Sequence, residues 1–549
     1  MPEGARSRSS EPRSGRGSEW PETDLVAARA ASTPEREALV DAPTGRSWTY
    51  RELDAWVGRL ATALADREGA AASDVVDDAT TRHLAGRIGV LSRPRPEVVA
   101  LVHAAWRTGR ELVLLNVGLA PDDLASQAGR AGVGTLLADA DADALAAAAS
   151  EHADAPADLV VANLDAVVGE QPFDTSGREE TAGDIGHVVR SGDVPVTLFT
   201  SGSTGDPKAV RVTVGNLLSS ATASAFRLGV ARGDRWLSPL PTYHMGGLAP
   251  VVRCALYGCT VVLQREFDAT RTAGALDAHD ATGVSLVPTA LKRLLDADWA
   301  PPDSLRFVLL GGAAADADLL ARCDARDVPA YPTYGMTETA SQIATATPEQ
   351  AFAHPDTVGQ PLVNTTVHVV DADGDAVPPG DVGELVVSGP TVTPGYLDAD
   401  AANDARRDGP ATLDRERFTE RGFRTGDRGY RDDDGNVYVT GRVDDMIVSG
   451  GENVQPSRVA DALRALDGVA DAAVVGLPDA EWGERVAALV VTRGDEDRRL
   501  TTPEAVRDAV RDRLAPHELP KTVAFAASIP RTASGTVDRD AVRESLTSD

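Results

Sequence analysis

The 549-residue chain reads as an α/β protein: a large N-terminal domain of doubly wound sheets with a β-rich subdomain, then a small α+β C-terminal domain. Three observations predict this. Between about residues 86 and 310, short β-type apolar runs alternate with amphipathic, helix-like stretches. Beyond Val358 the runs are parted by Asp-Gly and Pro-Gly turns, as in a unit built mainly of strands. About a hundred residues at the end return to mixed helix and strand. At roughly 100–200 residues per domain the length allows about three or four units, and 42% hydrophobic residues can fill a sizeable core.

Residues 1–22, dominated by Arg, Ser, Gly, Glu and Pro, have too little apolar surface to fold and are expected to form a disordered tail. A helix is predicted from Trp48, because Leu53, Trp56, Leu60 and Leu64 recur at helical spacing. Residues 66–83 are Asp/Ala-rich and read as a solvated loop. Strands are expected at 86–91 and 112–115, with a helix from Pro96 to Trp106 between them, and again at 194–199, 260–263, 283–287 and 305–310. The β-rich stretch offers 368–370, 383–387 and 436–439. The large domain is drawn at 23–440, with its β-rich subdomain at about 358–440. A short Gly/Asp connection, 441–444, leads to the small domain, 445–549. There helices are expected at 456–466 and 503–514, and strands at 472–475, 486–491 and 522–526.

The formal charge of −30 repels phosphate backbones and anionic lipid, so nucleic-acid partners and membrane docking are not expected. The acid is scattered along the chain and Lys is nearly absent, occurring only as Lys208, Lys292 and Lys521. An Arg-for-Lys bias alone fits a GC-rich genome. The large acidic excess points further, to a halophile, since molar salt screens charges over a few ångströms. Cys254, Cys259 and Cys323 form neither a disulfide framework nor a zinc spacing, which suits a cytoplasmic protein. No apolar run is long enough to span a bilayer, and the polar, Arg-rich N-terminus does not read as a signal peptide. Small-molecule partners are expected, and homo-oligomerisation is left open.

The strongest local motif is Thr200-Ser201-Gly202-Ser203-Thr204-Gly205-Asp206-Pro207-Lys208, directly after a predicted strand. Small residues let backbone N–H groups approach an anion, the hydroxyls add donors and Lys208 adds a cation. A plain polar turn would not need this uninterrupted order. Pro207-Lys208 also departs from the Gly-Lys-Ser/Thr ending of a Walker loop. The loop resembles the phosphate-binding signature of the adenylate-forming superfamily, which includes acyl-CoA synthetases. Three more signatures follow in order. Tyr334-Gly335-Met336-Thr337-Glu338 is similar to the motif whose Thr and Glu serve ATP and Mg2+; Phe423-Arg424-Thr425-Gly426-Asp427 to the one whose Asp grips the ribose; and Gly441 to Asn453 to the hinge motif.

The resemblance covers roughly residues 35–545 and implies ATP, Mg2+ and, as cosubstrate, coenzyme A. It places Gly312, Tyr334, Gly335, Thr337, Asp427 and Arg442 at the nucleotide, with Glu338 as the metal ligand. It places Asp444 at the hinge of a mobile small domain, and Gly450 and Gly451 at the coenzyme A channel. Taken one by one, the same residues have plainer uses. Glu338 suits a surface carboxylate, Asp427 a turn cap, Arg442 a rim ion pair with Asp444 or Asp445, and Tyr334 a core position.

The resemblance puts His244 at the mouth of the acyl pocket, in a catalytic and substrate-binding role. Nine residues on, Arg253 lies in an otherwise apolar helix, a costly place unless an anion meets it or it faces solvent. Detailed similarity runs to one subfamily, the 2-succinylbenzoate–CoA ligases of menaquinone biosynthesis. It is carried by Leu114-Leu115-Asn116, His244 to Gly258, Val284 to Thr289, Leu309 to Gly312 and Tyr334 to Ala344. That substrate is a dicarboxylate. Arg253 is then the cation for the carboxylate that is not activated, with Ser285 and Gly311 also at the substrate.

One position departs from the pattern. Ser534-Gly535-Thr536 stands where the superfamily usually has Ser-Gly-Lys, so the catalytic Lys is replaced by Thr536. Losing such a donor to developing charge typically costs about 10²–10³ in rate. Either Arg531, Arg539 or Lys521 reaches in as a substitute or adenylation is slow but adequate, although Lys521 suits better the anchoring of the strand before the loop. Two other functions stay open: a ligase for another aromatic or short-chain acid, and a non-catalytic nucleotide or acyl-adenylate binding protein.

Overall fold

The computed structural model describes all residues except 1–22, 66–86, 157–158, 169–187, 201–206, 399–412, 444, 450–451, 480–481, 494–501, 512, 532–536 and 548–549. The expected tail and the Asp/Ala-rich loop therefore lie outside the described residues.

Two large, mainly parallel sheets form the N-terminal part. The first has nine strands. Its parallel middle runs Ala330–Met336, Phe307–Leu310, Gly283–Leu286, Arg235–Ser238, Thr260–Leu263 and Glu37–Asp41. The second has eight strands, with Val196–Thr200, Leu112–Leu115, Arg87–Leu91, Val133–Ala138 and Val160–Asn163 parallel. Strands such as Leu112–Leu115 and Phe307–Leu310 are buried along their whole length, as expected where helices cover both faces. Helices Tyr50–Leu64, Pro96–Thr108, Val214–Leu228 and Met245–Tyr257 contribute to one continuous core, with Trp106 and Trp236 fully buried.

Local chemistry sets the boundaries. The helix expected from Trp48 begins at Tyr50, because Thr49 caps it and exchanges hydrogen bonds with Glu52, while Trp48 lies in the strand Arg46–Thr49 paired with Glu37–Asp41. Helices Pro96–Thr108, Val214–Leu228 and Met245–Tyr257 each stop at a left-handed glycine: Gly109, Gly229 and Gly258. An unforeseen helix, Leu25–Ser32, starts where the buried Asp24 carboxylate accepts from Val26 and Ala27 N–H.

A five-stranded antiparallel sheet follows, made of Thr366–Val370, Gly383–Ser388, Gly422–Arg431, Val437–Arg442 and Phe418–Thr419. The C-terminal part carries its own five-stranded sheet around the long hairpin Val469–Asp479/Gly483–Thr492, backed by helices Pro456–Arg464, Pro503–Val510 and Arg539–Thr547. It has its own apolar clusters. Among the described residues no helix is long and apolar enough to cross a membrane.

His103, on Pro96–Thr108, is 1% exposed, stacks on Trp106 and finds no partner for either ring nitrogen among the described residues. Burial lowers its pKa from 6.5 to about 4. The folded state thus refuses a proton that the unfolded chain accepts, and stability falls as pH drops from about 6.5 towards 4. Between pH 7 and 5 this contributes about 2 kcal/mol. His103→Phe is expected to lose that much less stability over the same interval, read as the difference between the two urea-unfolding curves; identical pH dependence would contradict it.

Candidate active site

The phosphate-loop motif sits on a hairpin of the second sheet. Val196–Thr200 pairs antiparallel with Lys208–Val212, and Thr200 faces Lys208 in register. Ser201, Gly202, Ser203, Thr204 and Gly205 lie outside the described residues, so the loop is seen by its two ends. Beneath it Glu111 is held by Arg211 at 2.8 Å, by Arg87 at 3.0 Å and by Thr197 Oγ1 at 2.6 Å. These charges keep the Glu111 carboxyl below its usual range despite burial. They tie both strands of the hairpin to the sheet.

A second hairpin brings the other half. Ala330–Met336 turns through Thr337–Thr339 into Ser341–Thr345. Ser220 Oγ donates to the Ala340 carbonyl at 2.6 Å, and Thr393 N–H donates to the Glu338 carbonyl at 2.8 Å. Ala340 and Ser341 hold φ of 51° and 115°, values that non-glycine residues rarely adopt and that need such an overdetermined setting. Gly335 is required here, since a Cβ would run into the Ser341 carbonyl.

Glu338 projects from this turn. One carboxylate oxygen accepts from the Tyr396 hydroxyl at 3.0 Å, and the Tyr396 ring lies 4.9 Å from the Lys208 ammonium, itself 3.7 Å from Asp414. One tyrosine thus spans the expected metal carboxylate and the phosphate-loop cation. Burial raises the Glu338 pKa, and the bond from Tyr396 opposes that rise. A carboxylate beside the Thr337 hydroxyl is a hard-oxygen donor set that fits Mg2+.

Three residues expected at the nucleotide meet. The Tyr334 hydroxyl donates to Asp427 at 2.6 Å, and Arg442 Nη1 donates to the other Asp427 oxygen at 3.0 Å. Tyr334 lies on the strand leading to Glu338, so ribose and metal candidates share one hairpin. Arg442 pairs with Asp427; Asp444, one of the rim aspartates considered for it, lies outside the described residues. Burial raises the Asp427 pKa while Arg442 lowers it.

The acyl side is assembled on the helix Met245–Tyr257. His244 is its N-cap residue; burial lowers its pKa, and its Nε2 has no partner among the described residues. Arg253 is 2% exposed. Its Nη2 donates to Ser341 Oγ at 3.0 Å, its guanidinium lies 5.3 Å from the Trp236 ring, and its Nε is unsatisfied. No carboxylate pairs with it among the described residues. Burial pulls its pKa down to about 9, so it stays charged at neutral pH. Ser285 Oγ accepts from the Trp236 indole at 2.9 Å, which brings Ser285 into the same cluster. Gly311 and Gly312 follow the strand Phe307–Leu310, with Gly311 backing on Thr333 and Gly312 at φ +84°. The solvent-facing alternative for Arg253 is excluded by its burial.

Asp444, Gly450, Gly451 and Thr536 lie outside the described residues. The cations expected to replace the missing Lys are each engaged: Arg531 with Asp471 at 2.7 Å, Arg539 with Asp445 at 2.6 Å, and Lys521 with Ser449 Oγ at 3.5 Å and the Trp482 ring at 3.1 Å. Lys521 N–H also donates to the Val486 carbonyl, as a strand anchor would. Sequence reasoning missed Tyr396, Trp236 and Ser341 as site residues. Only the positive φ of Ser341, a property of the folded chain, sets it apart.

This geometry, in which one hairpin carries both Glu338 and the Ser341 hydroxyl that meets the buried Arg253, agrees with the comparisons. The AMP-binding enzyme model matches residues 26–397, and the AMP-binding enzyme C-terminal domain matches 458–536. The chain belongs to the AMP-binding enzyme family. The 2-succinylbenzoate–CoA ligase of Bacillus velezensis is 36% identical over 523 residues, covering 94% of this chain and 96% of the relative. The Bacillus subtilis o-succinylbenzoate CoA synthetase in complex with the acyl-adenylate OSB-AMP superposes with a TM-score of 0.79 at 31% identity, covering 95% of this chain and 98% of that one. The same enzyme with ATP and magnesium gives 0.79 at 31%, covering 94% and 98%.

Tyr396→Phe keeps the ring and removes the hydrogen bond to Glu338. A bond to a charged group is worth about 1.5–3 kcal/mol, so the Glu338 pKa should climb by about one unit or more. The acid limb of ATP–pyrophosphate exchange is expected to move to higher pH by that amount. Calorimetry with a non-hydrolysable ATP analogue should show a raised Mg2+ requirement at pH 6. Unchanged pH and Mg2+ profiles would contradict the arrangement.

Proposed function

We propose that the chain is an AMP-forming acid–CoA ligase that converts 2-succinylbenzoate into its coenzyme A thioester for menaquinone biosynthesis. One observation carries the choice of substrate: Arg253 is a buried charge with no carboxylate among the described residues to meet it. A guanidinium in that state favours a ligand that brings its own anion. A monocarboxylic acid spends its only carboxylate on the reaction. A dicarboxylate keeps one to pair with Arg253 and Ser341.

In the first step a substrate carboxylate oxygen attacks the α-phosphorus of ATP, the bond to pyrophosphate breaks, and an acyl-adenylate forms. Thr200, Lys208 and the intervening loop 201–205 hold the phosphates, Asp427 and Arg442 hold the ribose hydroxyls, and Tyr334, Gly335 and Gly312 line the nucleotide. Mg2+, held by Glu338 with Thr337 beside it, neutralises phosphate charge. His244 closes the acyl end with Gly311 and Ser285. In the second step the coenzyme A sulfur attacks the acyl carbon and AMP leaves. Rotation of the small domain, 445–549, about 441–444 exchanges its two faces between the steps, with Asp444 as pivot and Gly450–Gly451 bordering the thiol channel.

The acidic, Lys-poor composition supports a halophilic source, and three buried free thiols suit a reducing cytoplasm. The test is ATP–pyrophosphate exchange at molar KCl. Exchange is expected with 2-succinylbenzoate and much less with benzoate; exchange only with monocarboxylates would overturn the substrate, and nucleotide binding without any exchange would favour a binding protein. Arg253→Met is expected to raise KM for 2-succinylbenzoate about 10²-fold, in line with removal of one partner of a buried charge pair, and KM for benzoate far less. Equal effects on both acids would contradict the role of Arg253.

A further inference from the structure

We propose that Trp236 is a positioning residue of the acyl pocket, whose indole N–H makes the Ser285 hydroxyl a donor to an oxygen of the acid substrate. The inference rests on the acyl-site reading above and adds to it a side chain that acts through another. Neighbouring strands set the arrangement. In the first sheet Trp236 pairs in register with Gly283, and Gly283 with Phe307. Side chains alternate between the two faces along each strand. Leu237, Val284, Val308 and Leu310 pack in one core, whereas Trp236 and Phe307 belong to the other, shared with the helix Met245–Tyr257. Gly283 leaves a gap on that second face, since a Cβ there would lie 2.0 Å from the Phe307 ring. Phe307 fills the gap and meets Trp236 edge to face at 4.7 Å. The indole is fully buried and locked by this packing.

From there Trp236 touches two groups of the acyl pocket. Its Nε1 donates to the buried Ser285 Oγ at 2.9 Å, and its ring lies 5.3 Å from the Arg253 guanidinium. An indole N–H can only donate, so Ser285 Oγ accepts and turns its own proton elsewhere. That proton meets no acceptor among the described residues. Ser341 repeats the pattern: its Oγ accepts from Arg253 Nη2 at 3.0 Å, and its proton too meets no acceptor among the described residues. Two hydroxyls, each held by a donor behind it, therefore stand on either side of the Trp236–Arg253 contact. A buried O–H without an acceptor is costly, and a hydroxyl that already accepts a bond donates more strongly. An acid brings the missing lone pairs. Without the indole N–H, Ser285 is free to turn its proton in other directions, and its preorganisation is lost.

The test is a double-mutant cycle on the full-length enzyme, read by ATP–pyrophosphate exchange. Trp236→Phe keeps a ring beside Arg253 and removes the N–H. It is expected to raise KM for 2-succinylbenzoate about tenfold, with kcat and KM for ATP within about twofold of the parent. Ser285→Ala should raise the same KM at least as much. In the double variant Trp236→Phe should add less than about twofold to Ser285→Ala, because the indole acts only through that hydroxyl. A purely structural role would instead multiply the two losses and raise KM for ATP as well. If Trp236→Phe does not fold, benzothienylalanine at position 236 keeps the indole shape and lacks only the N–H. An unchanged KM in either single variant, or losses that multiply, would overturn the proposal. A parent that exchanges only with another acid would sink the substrate reading alone; the cycle is then run with that acid, and independence of Trp236 and Ser285 there would overturn the proposal too.

Discussion

A guanidinium shut away from water, with no counter-ion among the described residues, governs the acyl half of this site. Stripping an ion of solvent costs several kcal/mol even after the surroundings relax, and the contact with the Trp236 ring and one hydroxyl from Ser341 return only part of that. The fold tolerates Arg253 because the helix bearing it is held at its C-terminal end by other means. The Tyr50 hydroxyl donates to the carbonyls of both Cys254 and Cys259, and Arg29 donates to those of Ala255 and Leu256. The last turn is thus satisfied without Arg253, whose side chain is left for a ligand.

The nucleotide half obeys the same logic with opposite charge. Asp427 and Glu338 are carboxylates pushed towards protonation by burial and drawn back by neighbours: Arg442 and Tyr334 for one, Tyr396 for the other. Each neighbour is a hydrogen-bond donor fixed by a different strand, so the carboxylates are held and aimed. The two halves meet at the turn Thr337–Ser341. Glu338 leaves it on one side and Ser341 reaches Arg253 on the other, which brings the candidate metal carboxylate and the hydroxyl of the candidate acyl pocket to one turn of the chain.

Much of this was legible in the sequence because it is local. The order of small and hydroxylated residues after a strand, the Tyr-to-Glu run ending at Glu338 and the Gly-Asp pair at 426–427 each carry their chemistry within a few residues. Periodicity found most helices and the buried strands, since 3.6- and 2-residue repeats are local as well. What escaped depends on contacts between distant segments. Tyr396 meets Glu338 from 58 positions away, and Ser341 meets Arg253 from 88. The strand Glu37–Asp41 enters the first sheet beside Thr260–Leu263, more than 200 positions on, which no short window shows. Arg442 was foreseen as a nucleotide clamp, while its partner Asp427 emerged only when their strands paired.

The pairing of Arg253 with a ligand carboxylate is tested most directly by calorimetry with a non-reactive sulfamoyl analogue of the 2-succinylbenzoyl-adenylate and with its methyl ester at the distal carboxylate. The account predicts that the acid binds the parent protein about 10²-fold more tightly than the ester, and that Arg253→Met binds the two alike. An ester that binds the parent as tightly as the acid would contradict it.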